Sequence, residues 1–235
     1  TLPYDVLSPQ EELVSERLEA LYRLTAPTGG ADVLLTSAVT ASQRLSPVSY
    51  IGANTFFFHQ GEQISLTTLQ KRLAAAGYAN VKQVLAAGEF AVRGSIVDVF
   101  PMGSERPFRL DFFDDEIESI RWFDVDTQRS MESAEEIRLL PGHEFPVDPE
   151  ALLAFRQRWR REFAGDPKKS IVYCDIEKEI LPPGIEYYLP LFFDETAALT
   201  DYLPPNARVF LLGDIEAALQ AFGRDMASHY KVLAA

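Results

Sequence analysis

Hydrophobic positions near the start of the chain recur at helical spacing. They are Leu13, Val14, Leu18 and Leu21. The preceding Ser8-Pro9-Gln10-Glu11 has a capping serine, a proline at the first helical position and a glutamate three residues after the cap, so it predicts a helix start. The short apolar run Ala31–Thr36 is typical of a buried parallel strand, and Ser37 can cap a short helix that ends before Pro47.

From about Thr55 the pattern becomes that of strands. TFFFHQ predicts one strand, and leucines at 66, 69 and 73 mark a helix that Gly77 would end. Four strand-like runs follow in quick succession: FAVRGSIVDVF, RPFRLDFF, EIESIRWFDV and EEIRLL. Their connections are too short for helical crossovers, so they predict antiparallel pairing and a small α+β domain built on a meander.

Helix and buried-strand patterns return after Pro141-Gly142. Asp148-Pro149-Glu150 predicts a helix through Phe163, Arg208–Gly213 resembles another buried strand, and Asp214 can cap a helix that reaches about Tyr230. The predicted fold class is α/β. We expect an incomplete parallel-sheet α/β domain from residues 1–54 and 141–235, interrupted by the inserted small α+β domain at 55–140.

Composition is that of a folded globular chain, with 235 residues of which 47% are hydrophobic and 24% charged. The net charge of −13 argues against a chain-wide nucleic-acid surface. Cys174 is the single cysteine, which excludes an internal disulfide, and no apolar stretch is long enough to span a membrane. We expect a cytoplasmic location, and we interpret a chain that opens on Thr1 as a fragment of a longer protein.

Motifs for catalysis are absent from the sequence. The phosphate-binding string GxxxxGK[ST] does not occur, and His59, His143 and His229 lack ligand spacing. The acidic run DFFDDEIE straddles a predicted hairpin turn, where aspartate is favoured for local hydrogen bonds, so a solvated turn is favoured over a metal site. We therefore predict no catalytic, cofactor-binding or metal-binding residue in this chain.

Two surfaces carry arginines. Arg156, Arg158, Arg160 and Arg161 spread widely around one predicted helix, which favours a solvated face with acidic partners over a phosphate-backbone contact. In the meander, alternation places Phe108, Leu110 and Phe112 on the core side of a strand.

The same alternation places Arg109, Asp111 and Phe113 on the other side of that strand. Arg93 could add a second guanidinium there, although a bulge at Gly94 would leave the side of the strand on which Arg93 lies undetermined. Arginine and aromatic residues are enriched at interface hot spots. The spacing equally allows Phe113 to be covered by the helix of Leu69 or by the α/β domain.

Three strings in order, RGSIVDVFPMGS, PFRLDFFDDEIESIRWFDVDTQRS and LLPGHEFP, resemble the domain shared by the nucleotide-excision-repair protein UvrB and the transcription-repair coupling factors. The helix start at Ser8–Glu11 stands where UvrB has a long insertion, so the chain is more similar to the UvrB-like N-terminal module of the coupling factors.

This resemblance implies a non-catalytic module that recruits UvrA to stalled transcription in nucleotide excision repair. The implied UvrA contacts are Arg93, Arg109 and Phe113, with both arginines donating to UvrA carboxylates. ATP and Mg, RNA polymerase and DNA would be bound by other domains of such a factor. The alternatives are a UvrB-like ATPase or helicase fragment and a direct DNA-binding module.

Overall fold

The computed structural model describes residues 7–26 and 33–233. Its α-helices are α1 (Glu11–Thr25), α2 (Ala38–Ala41), α3 (Val48–Ala53), α4 (Leu66–Ala75), α5 (Pro149–Glu162), α6 (Ile171–Glu177) and α7 (Ile215–Leu233). Its strands are β1 (Phe56–His59), β2 (Ala79–Asn80), β3 (Glu89–Arg93), β4 (Ile96–Phe100), β5 (Phe108–Phe113), β6 (Glu116–Phe123), β7 (Ser130–Ala134) and β8 (Glu136–Leu139). Short 3-10 helices cover Pro167–Lys169, Ile185–Leu191 and Leu199–Tyr202.

A mixed six-stranded sheet, an antiparallel sheet and helices confirm the α/β class. The chain divides into two compact units. One unit comprises residues 10–22 and 49–148, and the other is formed by the described residues of 1–9, 23–48 and 149–235. Within the described part of the chain, no helix is long and apolar enough to cross a membrane.

A six-stranded sheet in the order β2-β3-β4-β5-β6-β7 dominates the first unit. The short β2 pairs with β3 in parallel, and every later neighbour pairs antiparallel, which confirms the predicted meander. Val97, Leu110 and Ile120 lie directly opposite one another on β4, β5 and β6 and are fully buried. These cross-strand neighbours form the centre of the core side of the sheet.

The run FAVRGSIVDVF forms two strands rather than one. Gly94 and Ser95 make a tight turn between β3 and β4, and Gly94 adopts a positive φ of 63°. A glycine at the first position of a two-residue hairpin loop is favoured because it takes this conformation without steric cost. The bulge considered at Gly94 is therefore absent, and the irregularities lie at the Asp111/Phe112 and Arg121/Phe123 steps instead.

The EEIRLL run does not close the meander. It forms β8, which pairs antiparallel with β1 in a separate two-stranded sheet where Phe58, Ile137 and Leu139 are buried. Its expected place beside β6 is taken by β7. Nearly all side chains of β7 are exposed, so its sequence has little alternation of apolar and polar residues. The hydrophobic pattern therefore does not predict this strand.

Helix α1 begins at Glu11, two residues after the expected first helical position at Pro9, and Ser8 has a different role from the expected one. The Ser8 hydroxyl donates to Glu186 at 2.8 Å and accepts from the Gly184 amide at 2.9 Å. This hydroxyl therefore binds the loop before Ile185–Leu191 instead of capping α1. By contrast, the expected caps at Ser37 and Asp214 are present, since each accepts an amide hydrogen bond from the first turn of its helix.

Two predicted buried strands are not formed. Residues 33–36 and 208–212 have no regular secondary structure, and Ala31 and Asp32 lie outside the described residues. Both runs are open to solvent: Val33 is 82% exposed, and the side chains of Val209–Leu212 are 67–79% exposed. A parallel strand is buried only when neighbouring strands and helices cover it, and no described strand pairs with either run.

Helix α5 carries the core of the second unit. Its Phe155 and Trp159 are buried and meet aromatic rings from the proline-rich stretch after α6. The Phe155 and Phe192 ring centroids are 4.8 Å apart, and those of Trp159 and Tyr188 are 5.2 Å apart. Such tilted aromatic pairs add to the stabilisation from buried area, so the LPPGIEYYLPLFF segment is a core element.

Candidate functional site

The two faces of β5 differ in burial as the alternation predicts. Phe108, Leu110 and Phe112 are at most 6% exposed on the core side. On the other side Arg109 is 14% exposed at its side chain, whereas Phe113 is 69% exposed. Phe113 is therefore not covered within the described part of the chain, which resolves the alternative left open by its spacing.

The second arginine lies on the same face. Asp98 pairs with Arg109 across β4 and β5, while Ile96 pairs with both Arg93 and Asp111. Directly paired residues in an antiparallel sheet share a face, as do residues two apart on one strand. We call this side, which carries Arg93, Asp98, Arg109, Asp111 and Phe113, the outer face of the meander.

Asp98 is the centre of the outer face. Its side chain is fully buried, and it accepts from Arg109 Nε at 2.7 Å and from Arg109 Nη2 at 2.9 Å. Arg93 Nη2 donates to the same carboxylate. The hydrogen bond to Asp98 is the main cause that raises the pKa of Arg109. A buried carboxylate is tolerated here because two guanidinium groups compensate its charge.

Arg109 is committed to its own fold. Besides Asp98, its Nη1 donates to the Gln128 carbonyl at 3.1 Å and to the Ser130 hydroxyl at 3.2 Å. Its guanidinium carbon also lies 4.9 Å from the centroid of the buried Phe123 ring. Arg109 therefore ties β4 and β5 to the β6–β7 connection, and most of its donors are unavailable to a partner.

A small apolar cluster covers one end of the outer face. Val84, Ala91 and Phe123 are at most 1% exposed, and Val81 and Phe100 pack against them. Phe123 also contacts Arg109, so the cluster borders the buried charges. Burial therefore decreases along the outer face, from this cluster through Asp98 to the exposed end.

Arg93 and Phe113 are the groups that the exposed end presents. The Arg93 side chain is 46% exposed, and Phe113 is the last residue of β5. Arg121 lies 3.5 Å from Asp111 on the same face, so three arginines stand against two aspartates there. Glu116 is paired with Phe113 and adds a third carboxylate to this face, so the three arginines leave no surplus of positive charge there.

The two arginines expected to bind UvrA differ in their contacts within the chain, and their contact with UvrA stays a prediction. Both were expected to donate to carboxylates of a partner, but only Arg93 has an exposed side chain, since Arg109 is held by Asp98, Gln128 and Ser130. Asp98 was missed by the sequence reasoning. Its signal was an aspartate within the apolar strand IVDVF, where a charged side chain requires a compensating partner.

The acidic run forms a hairpin turn. Asp114 adopts a positive φ of 50°, the Asp115 carbonyl accepts from the Ile64 amide, and Glu116 accepts from Gln63 at 2.7 Å. Across the described residues, no group of three or more His, Cys, Asp or Glu side chains could hold a metal ion.

The arginines of α5 have partners within the chain. Arg158 donates to Asp194 at 2.6 Å, Arg161 to Glu162 at 2.8 Å, and Arg156 lies 4.0 Å from Glu177. Arg160 lies over the Tyr173 ring at 5.5 Å. These contacts confirm the interpretation of this helix as a face with intrachain acidic partners.

Comparison with known proteins places the outer face within a known domain. Residues 56–145 match the family described as the UvrB interaction domain. The chain is 44% identical to transcription-repair-coupling factors from Escherichia coli (strain K12) and Haemophilus influenzae, over 98% of its own length and 20% of theirs. It is 32% identical to the transcription-repair-coupling factor of Bacillus subtilis (strain 168), over 88% of its length and 18% of that protein. The chain thus spans about a fifth of the length of these relatives.

Proposed function

Because the chain belongs to the transcription-repair-coupling factor family and contains a UvrB interaction domain, we propose that it binds UvrA through the outer face of its meander. In this role it recruits UvrA to stalled transcription during nucleotide excision repair and performs no catalysis itself. The observation that carries the proposal is the joint exposure of Arg93 and Phe113 on one face of that domain.

The chemistry of these two side chains suits a protein partner. Phe113 offers a large apolar surface that is 69% exposed, and arginines and aromatic residues provide much of the binding energy at protein interfaces. Arg93, two strands away on the same face, supplies a charge-assisted donor for a carboxylate. An apolar anchor and a directional charge on one face give both affinity and orientation.

A titration of the chain with purified UvrA tests the proposal. We expect Phe113→Ala to weaken binding by about tenfold or more, as for other central aromatic anchors. Phe57→Ala is the matched control, because Phe57 is 42% exposed on β1 in the two-stranded sheet. It should change the affinity by less than about twofold. No binding by the folded parent chain, or equal losses in both variants, would refute the proposal.

Two competing functions predict other results. A UvrB-like ATPase fragment would hydrolyse ATP in isolation, and a DNA-binding module would bind duplex with an affinity that falls steeply with salt. The intrachain partners of Arg156, Arg158 and Arg161 disfavour the second. Both activities can be measured on the preparation used for the UvrA titration.

A further inference from the structure

We propose that Asp98 is a positioning residue of the UvrA-binding face, which holds Arg93 in the orientation that a partner carboxylate requires. In this arrangement Arg109 acts through Asp98, and Arg93 and Phe113 are the side chains that touch UvrA. The inference rests on the proposed function, but it assigns different roles to two arginines that the motif treats alike.

The geometry of the carboxylate supports this division. Arg109 reaches both oxygens of Asp98, with Nε on Oδ1 and Nη2 on Oδ2. Arg93 Nη2 shares Oδ2. Asp98 therefore connects one arginine that is 14% exposed to another that is 46% exposed. The buried arginine fixes the carboxylate, and the carboxylate in turn fixes the exposed arginine.

The free donors of Arg93 identify the chemistry of the partner group. Arg109 already pairs with Asp98 through two hydrogen bonds, while Arg93 donates to Asp98 through Nη2. Asp98 occupies one end of the Arg93 guanidinium, whose planar fork suits a carboxylate. An acidic side chain of UvrA would meet a donor that is already oriented, so less side-chain freedom is lost on binding.

A double-mutant cycle on UvrA affinity tests the coupling between Asp98 and Arg93. Asp98→Asn keeps the shape of the side chain but removes its charge. We expect it to weaken binding by about tenfold, the scale of one charge-assisted hydrogen bond. In an Arg93→Ala background, the same change should alter affinity by less than about twofold. A merely structural role would weaken binding equally in both backgrounds.

A measurement without UvrA makes the test independent of the partner. In the parent chain, ¹⁵N relaxation of Arg93 Nε should report an ordered side chain, and in Asp98→Asn the order should fall while the backbone amides of β3 and β4 stay unchanged. If Asp98→Asn fails to fold, Arg109→Lys provides the second variant. This substitution keeps the positive charge but removes the planar guanidinium that binds both oxygens of Asp98. The effect of Arg109→Lys on affinity should likewise disappear in the Arg93→Ala background.

The outcomes separate this inference from the proposed function. If the parent chain binds UvrA but the cycle is additive, or if Arg93 stays ordered in Asp98→Asn, the positioning role is wrong and the binding function stands. If the folded parent chain does not bind UvrA, both are overturned. Coupling in the cycle together with loss of order at Arg93 supports the inference.

Discussion

Replacement of Arg109 by alanine should destabilise the unit that contains the meander far more than replacement of Arg93. Arg109→Ala removes both hydrogen bonds from Nε and Nη2 to the fully buried Asp98. It also removes the two bonds from Nη1 that hold Gln128 and Ser130, and the contact with Phe123. The carboxylate would be left with Arg93 alone.

The magnitude follows from the burial of the charge that is left behind. Removal of one partner from a buried ion pair costs about 3–5 kcal/mol, because the remaining charge is desolvated without compensation. Since Arg93 still contacts Asp98, we expect the lower end of that range, about 3 kcal/mol. This is a large share of the stability of a typical domain.

Arg93→Ala gives the contrast. The Arg93 side chain is 46% exposed and its described hydrogen bond is to Asp98 alone, while Arg109 continues to pair the carboxylate. Solvent screens such a half-exposed pair, so the expected cost is about 0–1 kcal/mol. Both variants should nevertheless weaken UvrA binding. Arg93→Ala removes a side chain that contacts UvrA, and Arg109→Ala removes the arginine that holds Asp98 and thereby Arg93 in place.

Urea unfolding followed by tryptophan fluorescence can measure the difference. Trp122 stacks on Phe108 with ring centroids 3.8 Å apart and reports on the meander. Trp159 belongs to the other unit, so the variants are compared in a Trp159→Phe background that leaves a single tryptophan. Equal losses of stability in Arg93→Ala and Arg109→Ala, or a larger loss in Arg93→Ala, would refute the different roles given to the two arginines.

Three further predictions concern other parts of the chain. Gly142→Ala should raise the free energy of the folded state and lower the melting temperature, because a Cβ there would lie 2.6 Å from a main-chain carbonyl carbon; the control Gly52→Ala, with no atom within 4 Å, should be neutral or stabilising. Burial lowers the pKa of His143 in the folded chain. As the pH falls below the ordinary pKa of histidine, the unfolded chain therefore binds a proton at His143 before the folded chain does, and the free energy of unfolding should decline by up to about 1.4 kcal/mol per pH unit. The decline should be less steep in His143→Phe. Arg158→Ala should destabilise the α5 unit by about 1–2 kcal/mol through lost bonds to a carbonyl and a carboxylate, whereas Arg161→Ala, at a side chain that is 72% exposed, should leave its urea midpoint unchanged.

Helices α1, α2, α4, α5 and α7 and the meander were predictable because each carries its own local signal. The helical spacing of α1, the caps of α2 and α7, and the alternation along β5 all depend on residues close in sequence. The faces of Arg109 and Phe113 followed from the same alternation. These features are set by the periodicity of the backbone, so they do not depend on which elements pack against them.

The errors arose where an element depends on distant neighbours. The apolar runs near Val33 and Phe210 carry the composition of buried strands, but burial also requires paired strands on both sides. The pairing of β8 with β1 joins residues about 80 positions apart, as in Phe57 opposite Arg138, and no local pattern encodes that choice. Strand composition predicts a tendency, whereas pairing is decided by tertiary structure.

The candidate site shows the same limit at the level of single side chains. A motif identifies Arg93, Arg109 and Phe113 as a set, but exposure separates an arginine held within the sheet from one that is available to a partner. The separation is produced by Asp98. The Asp98–Arg109 pair as a whole could be replaced by well-packed apolar residues with little loss of stability or even a gain, since buried ion pairs seldom stabilise more than good packing does. What an apolar replacement could not supply is a fixed carboxylate beneath an exposed arginine. The buried charge is therefore better explained by the orientation it gives Arg93 than by the stability of the sheet.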